Sequence, residues 1–196
     1  MTAKPTPLTA EQEPEQTAPV RKGFRWGRLI AWVVLIAFLV MLAFGLLRTQ
    51  RGPVVIGQAA PAFLLKTFDN QQIGSNDLAG KVIVVNFWAS WCKPCEQEAA
   101  DLEAAWQHYK PQSDVVFLGV DYVDTEPEAK GYLQKFNVSY PNGADLGTRI
   151  SQAYRIRGVP ETYIIDRQGK LAYKQIGPFE SLAHIKGVID PLLGEE

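Results

Sequence analysis

A chain of 196 residues with 46% hydrophobic side chains is long enough for one domain of ordinary size and something more. Its formal net charge of −1 gives no bulk field for a polyanion, which excludes nucleic acid as a partner on composition. The only two cysteines, Cys92 and Cys95, are too few for a disulfide framework.

Residues 1–28 begin with Pro5, Pro7, Pro14 and Pro19 among Thr, Gln and Glu, with almost no large apolar side chain before Val20. Such a segment cannot bury enough surface to offset its ordering entropy, and a disordered cytoplasmic tail is expected. Residues 29–47 then run without a charge, about 28 Å as a helix, which matches a bilayer core. Trp26 and Trp32 suit an interfacial position, and Arg21, Lys22, Arg25 and Arg28 precede the run while only Arg48 and Arg51 follow closely. That bias puts the N-terminus in the cytoplasm and the rest of the chain outside it. Ala43-Phe44-Gly45 offers a small-x-small pair for a cleaved signal peptide. The pair lies inside the apolar run, however, and the run exceeds an h-region of about 7–15 residues. A buried core helix fits less well, because no polar stripe interrupts the apolar faces. Residues 48–53 read as a linker, and 54–196 as the globular domain.

Residues 63–67 and 71–73 flank Asp69-Asn70 and read as a hairpin. Residues 82–88 are apolar except for Asn86, the pattern of a strand buried on both faces and so of the sheet centre. From Pro94 to Tyr109, Ala99, Leu102, Ala105, Trp106 and Tyr109 recur at helical steps, with Pro94 in the first turn, where its missing N–H costs nothing. A second apolar strand is expected over 115–121, a helix over 126–136 and a short helix over 147–154. A strand over 162–166, a turn, a partner strand over 171–176 and a last helix over 179–193 complete the chain. This order suits an α/β fold, a mixed central sheet flanked by helices on both sides.

Trp91-Cys92-Lys93-Pro94-Cys95 holds both thiols where a strand runs into a helix, so that Cys92 stands exposed beside free backbone N–H groups. Half of a zinc site is one reading, but His108 and His184 are far off and unpaired, so no metal or other cofactor is expected. A purely structural disulfide is another, though so short a loop removes little unfolded-state entropy. Redox exchange fits best. The helix dipole favours the Cys92 thiolate as the attacking group, Cys95, one turn further in, resolves the intermediate, and Lys93 adds a nearby positive charge.

Residues 87–95, Phe-Trp-Ala-Ser-Trp-Cys-Lys-Pro-Cys, with Gly158-Val159-Pro160-Glu161-Thr162 downstream, resemble the thioredoxin superfamily. Gly80-Lys81, Glu98 and the Pro160-Glu161 pair narrow the resemblance to the membrane-anchored TlpA, ResA and DsbE (CcmG) branch of cytochrome c biogenesis, over about 54–193. The resemblance implies a thioredoxin-like fold with an N-terminal hairpin and a central insertion over 121–141. It also implies a cis peptide before Pro160, facing a redox-active Cys92–Cys95 disulfide, with Trp91, Val159, Pro160 and Glu161 forming the substrate groove. The Val159 backbone is then expected to pair with an extended client beside Cys92. Glu98 shares a helix face with Cys95 and is implied to move protons during exchange, although a solvated helix glutamate is the plainer reading. Glu161 reads equally as a strand-edge residue facing water. Asn86 departs from ordinary thioredoxins, which carry a buried aspartate there; an amide cannot do acid-base work. That task then passes to Glu98, Glu161 or water.

The resemblance implies a thiol-disulfide oxidoreductase in the bacterial cytoplasmic membrane, single-pass, with its catalytic domain extracytoplasmic and membrane lipid around its anchor. It would reduce the Cys-x-x-Cys-His disulfide of an apocytochrome c, or another disulfide-bearing protein, and be recharged by a transmembrane thiol donor of the CcdA or DsbD kind. Two other functions compete. Residues 57–63, Gly-Gln-Ala-Ala-Pro-Ala-Phe, also resemble the opening of peroxiredoxins, but Ala89 stands where those enzymes carry threonine. A copper- or haem-handling chaperone would use both thiols as soft ligands, yet the spacing is short for one and His184 is poorly placed.

Overall fold

A computed structural model of the chain describes residues 26–49 and 54–194. Most of the expected tail and most of the linker lie outside the described residues, but residues 26–28, expected in the tail, and 48–49, expected in the linker, are helical. The chain divides into two compact units, Met1–Arg51 and Gly52–Glu196.

In the first unit, the good helix formers Leu, Ala and Met, mixed with Val, Ile and Phe, form one helix, α1 (Trp26–Thr49). Its described apolar side chains are exposed. Among the described residues no helix is long and apolar enough to cross a membrane, so the span expected over 29–47 is not established by the fold.

In the second unit, β1 (Leu64–Lys66) and β2 (Gln72–Gly74) form the antiparallel hairpin, with Leu65 opposite Ile73. The main sheet contains β3 (Val82–Trp88), β4 (Val115–Asp121), β5 (Asn142–Ala144), β6 (Glu161–Ile165) and β7 (Leu171–Ile176), in the order β5-β4-β3-β6-β7. β3 pairs parallel with β4, as does β4 with β5, while β6 and β7 run antiparallel. As its apolar run indicated, β3 is central and buried at every residue.

Strand alternation sends Val82 and Val84 to one face, where they meet Leu102 and Ala105 of α2 (Lys93–Tyr109) and Ile185 and Ile189 of α5 (Leu182–Leu193). Ile83, Val85 and Phe87 go to the other face and pack with Leu65, with Ile150 and Tyr154 of α4 (Arg149–Tyr154), and with Tyr163. The central segment supplies α3 (Glu126–Lys135), whose Ala129 and Tyr132 join Trp88, Cys92, Cys95 and Ala99 in a third cluster.

Two departures from expectation have local reasons. α5 begins at Leu182 rather than 179, because Ser181 caps it by accepting the His184 N–H at 3.2 Å and the Phe179 N–H is engaged elsewhere. β5 was not foreseen; it is held by β4 on one side, and its Asn142 carbonyl accepts the Phe68 N–H. Its Asn142 side chain accepts the Trp88 indole N–H at 2.8 Å, directly over Gly119. A Cβ on Gly119 would lie 1.6 Å from that amide oxygen, so only glycine fits.

Candidate active site

β3 ends at Trp88, and a tight turn in which the Cys92 N–H donates to the Ala89 carbonyl leads into α2. Cys92 is the N-cap: its Sγ accepts the Cys95 N–H at 3.2 Å, and Pro94 occupies the first turn. The two sulfurs are joined in a disulfide. Cys92 is only 4% exposed, nearly as buried as Cys95, which corrects the expectation of an open thiol. Ala89, Ala129, Tyr132 and Val159 pack around the pair, while Trp91 stays 58% exposed.

Two residues after β4 hold the turn. The Ser90 N–H donates to Asp124 Oδ2 at 2.7 Å, and the Trp91 indole N–H donates to the Val123 carbonyl at 3.3 Å. Val123 takes φ +51°, a left-handed conformation that is rare for a β-branched residue.

Glu98 is 1% exposed on the inner face of α2. Its Oε1 accepts from Asn86 Nδ2 at 2.9 Å and its Oε2 from the Phe179 N–H at 2.8 Å. Burial pushes its carboxyl up to about 7, against the opposing pull of the Phe179 amide and Asn86. Asn86, which also donates to Thr162 Oγ1, is thus the donor that fixes Glu98 between β3 and β6.

The peptide between Val159 and Pro160 is cis. Val159 packs against the cysteine cluster, and its N–H and C=O make no hydrogen bond among the described residues. The Pro160 carbonyl accepts the Gly177 N–H. Glu161 does not face water: it is buried, its Oε1 accepting the Arg157 N–H at 2.7 Å and its Oε2 the Tyr163 hydroxyl at 2.8 Å, with Lys174 Nζ at 3.3 Å. Such a carboxylate braces the loop that carries Val159 and Pro160. Lys93 is exposed and pairs with Glu96, which Lys135 of α3 also reaches; the two lysines hold the Glu96 carboxyl below its ordinary range.

Three residues beside the site were not singled out from the sequence. Tyr132 stacks on Trp88 with ring centroids 4.5 Å apart. Asp124 secures Ser90. Asp121, 1% exposed, has no hydrogen-bond donor on either oxygen among the described residues. Burial and the neighbouring Asp124 push its carboxyl up to about 7. The only available signal was that an acidic residue ended an otherwise apolar strand. Among the described residues no group of His, Cys, Asp and Glu side chains could hold a metal ion.

The AhpC/TSA family pattern matches residues 56–174. The thiol-disulfide oxidoreductase ResA of Bacillus cereus is 34% identical over 122 residues, 62% of this chain and 70% of its own. The thiol:disulfide interchange protein HelX of Rhodobacter capsulatus is 35% identical over 140 residues, 70% of this chain and 76% of its own. Among solved structures, a thiol:disulfide interchange protein of the thioredoxin family from Chlorobium tepidum superposes with a TM-score of 0.64 at 27% identity, over 70% of this chain and 97% of that one.

Proposed function

Because the chain belongs to the AhpC/TSA family and is a thioredoxin-fold thiol-disulfide oxidoreductase of the ResA, HelX and DsbE branch, we propose that it reduces protein disulfides outside the cytoplasm, with the Cys-x-x-Cys-His segment of an apocytochrome c as its client. The observation that supports this best is the Cys92–Cys95 pair at the cap of α2, packed against Val159, whose backbone is free to pair with an extended strand.

In the reduced protein, Cys92 Sγ carries the negative charge, favoured by the α2 dipole and by the Cys95 N–H. A client strand lies along Val159 and Pro160, beside the exposed Trp91. The Cys92 thiolate attacks one sulfur of the client disulfide; that S–S bond breaks, a mixed disulfide forms and one client thiolate leaves. Glu98, one helical turn from Cys95, takes the Cys95 thiol proton directly or through water; a carboxyl near 7 is matched to that transfer at neutral pH. The Cys95 thiolate then attacks Cys92 Sγ and expels the second client thiolate. Two electrons have passed to the client, leaving the Cys92–Cys95 disulfide. A transmembrane dithiol donor of the CcdA or DsbD kind recharges it by the reverse exchange. Peroxide reduction fits less well, since Ala89 stands where peroxiredoxins carry threonine.

Equilibrating the full chain against thiol buffers tests the direction of flow. A reduction potential near the roughly −270 mV of thioredoxin, with faster reduction of a Cys-x-x-Cys-His peptide disulfide than of a disulfide lacking the histidine, is expected. A potential near about −120 mV would mean that the protein donates disulfides instead.

The anchor belongs to the same proposal and rests on the uncharged run over 29–47 and its flanking arginines. Membranes washed in alkaline carbonate are expected to retain the chain, and protease added outside spheroplasts to digest the domain after residue 54. Release by carbonate, or protection of that domain, contradicts the assigned topology.

A further inference from the structure

The turn after β4 presents three unusual features together, two of them at residues that bond to the turn leading into Cys92. Val123 holds a left-handed backbone, a cost that surrounding contacts must offset. Its carbonyl takes the Trp91 indole N–H, and the next residue, Asp124, takes the Ser90 N–H at 2.7 Å while its other oxygen accepts the Thr125 N–H at 3.0 Å. Asp121 lies behind, buried without a donor, where an apolar side chain would close a strand end at less cost.

We propose that Asp124 is a positioning residue for thiol-disulfide exchange, holding the Ser90 amide so that the Ser90-Trp91 turn presents Cys92 to the client. This rests on the exchange reading above and adds a role for a residue outside the cysteine motif. A charged acceptor on a backbone N–H makes a short, strong bond. Ser90 is two residues before Cys92, and the turn between them is closed by the Cys92 N–H to the Ala89 carbonyl, so freeing Ser90 loosens the approach to the nucleophile. Burial and Asp124 both favour the protonated form of Asp121. In that form it carries no charge to oppose Asp124 and has a proton to donate to it. The Asp124 Oδ2 keeps its hold on the Ser90 N–H.

The test compares the full-length wild type with Asp124→Ala, Asp124→Asn and Asp124→Glu on one disulfide peptide. Alanine is expected to lower kcat by about tenfold with KM little changed, the pattern of a misplaced reacting group. Asparagine keeps an acceptor oxygen at the same reach and is expected to recover kcat to within about twofold of wild type, while glutamate keeps the charge but displaces the oxygen and stays slow. The Ser90 amide is expected to exchange its hydrogen faster in the alanine and glutamate variants than in wild type and the asparagine variant. If the alanine variant does not fold, the asparagine-glutamate comparison decides. Recovery by glutamate and not by asparagine would replace positioning with a charge effect, and an alanine variant at the wild-type rate would remove the role altogether. A wild-type chain that exchanges with no disulfide would overturn the function itself and not the role of Asp124 alone.

Discussion

Replacing Cys92 with alanine is expected to abolish disulfide reduction, lowering the rate by at least ~10³-fold, while replacing Cys95 leaves the chain covalently joined to its clients. The asymmetry follows from their places on α2. Burial does not separate them, both being almost fully buried; Cys92 caps the helix, where its sulfur receives the Cys95 N–H, whereas Cys95 lies inside the first turn. A client can therefore be attacked by one sulfur and released by the other. Loss of so short a cross-link costs about 2 kcal/mol in the chain-entropy account, so both variants should fold and the effect belongs to chemistry. Non-reducing gels of the Cys95→Ala protein mixed with an oxidised client read the trapped species. A Cys92→Ala protein that still reduces clients, or a Cys95→Ala protein that traps nothing, would reverse or remove the assignment.

Glu98→Gln has the second largest expected effect, and it has two signatures. At pH 7 the exchange rate should fall about 10²-fold, the low end for loss of a general acid-base group, with formation of the mixed disulfide less affected than its resolution. Stability should change in a pH-dependent way. Burial raises the Glu98 carboxyl from 4.5 to about 7 in the folded chain. Between those pH values the folded state holds a proton that the unfolded chain has released, so stability is fullest below about 4.5 and is lost as pH rises through about 7. The shift corresponds to roughly 3 kcal/mol. Asp121, raised from 3.8 to about 7, adds a loss of the same sign. Glutamine at 98 removes one share and leaves the other, so denaturant midpoints between pH 5 and pH 8 should slope less steeply than in wild type. An unchanged slope would show that Glu98 does not titrate in that range.

Much of the frame could be read from the sequence because its signals are local. The apolar run of β3, broken only by Asn86, marked the sheet centre, and the three-residue spacing of Ala99, Leu102 and Ala105 marked the inner face of α2. The cysteine spacing pointed to redox chemistry without any structure. What stayed hidden depends on residues far apart in the chain. Glu161 looked like a surface glutamate because its partners, the Arg157 amide, Tyr163 and Lys174, meet only after β6 and β7 pair. Asn86 read as a lost acid, whereas its amide spans to Glu98 and Thr162 across two elements. β5 has three residues and no apolar alternation, so nothing local separates it from a loop. The membrane span expected over 29–47 falls within α1, is not established by the fold, and stays with the sequence argument.

Gly119 carries no side chain and takes no part in the chemistry, yet it lies beneath the Asn142 amide that holds the Trp88 indole, and Trp88 in turn stacks on Tyr132 and packs with both cysteines. Space, rather than any functional group, is what this position contributes. A methyl group there would reach the sulfurs through Asn142 and Trp88 without touching either one.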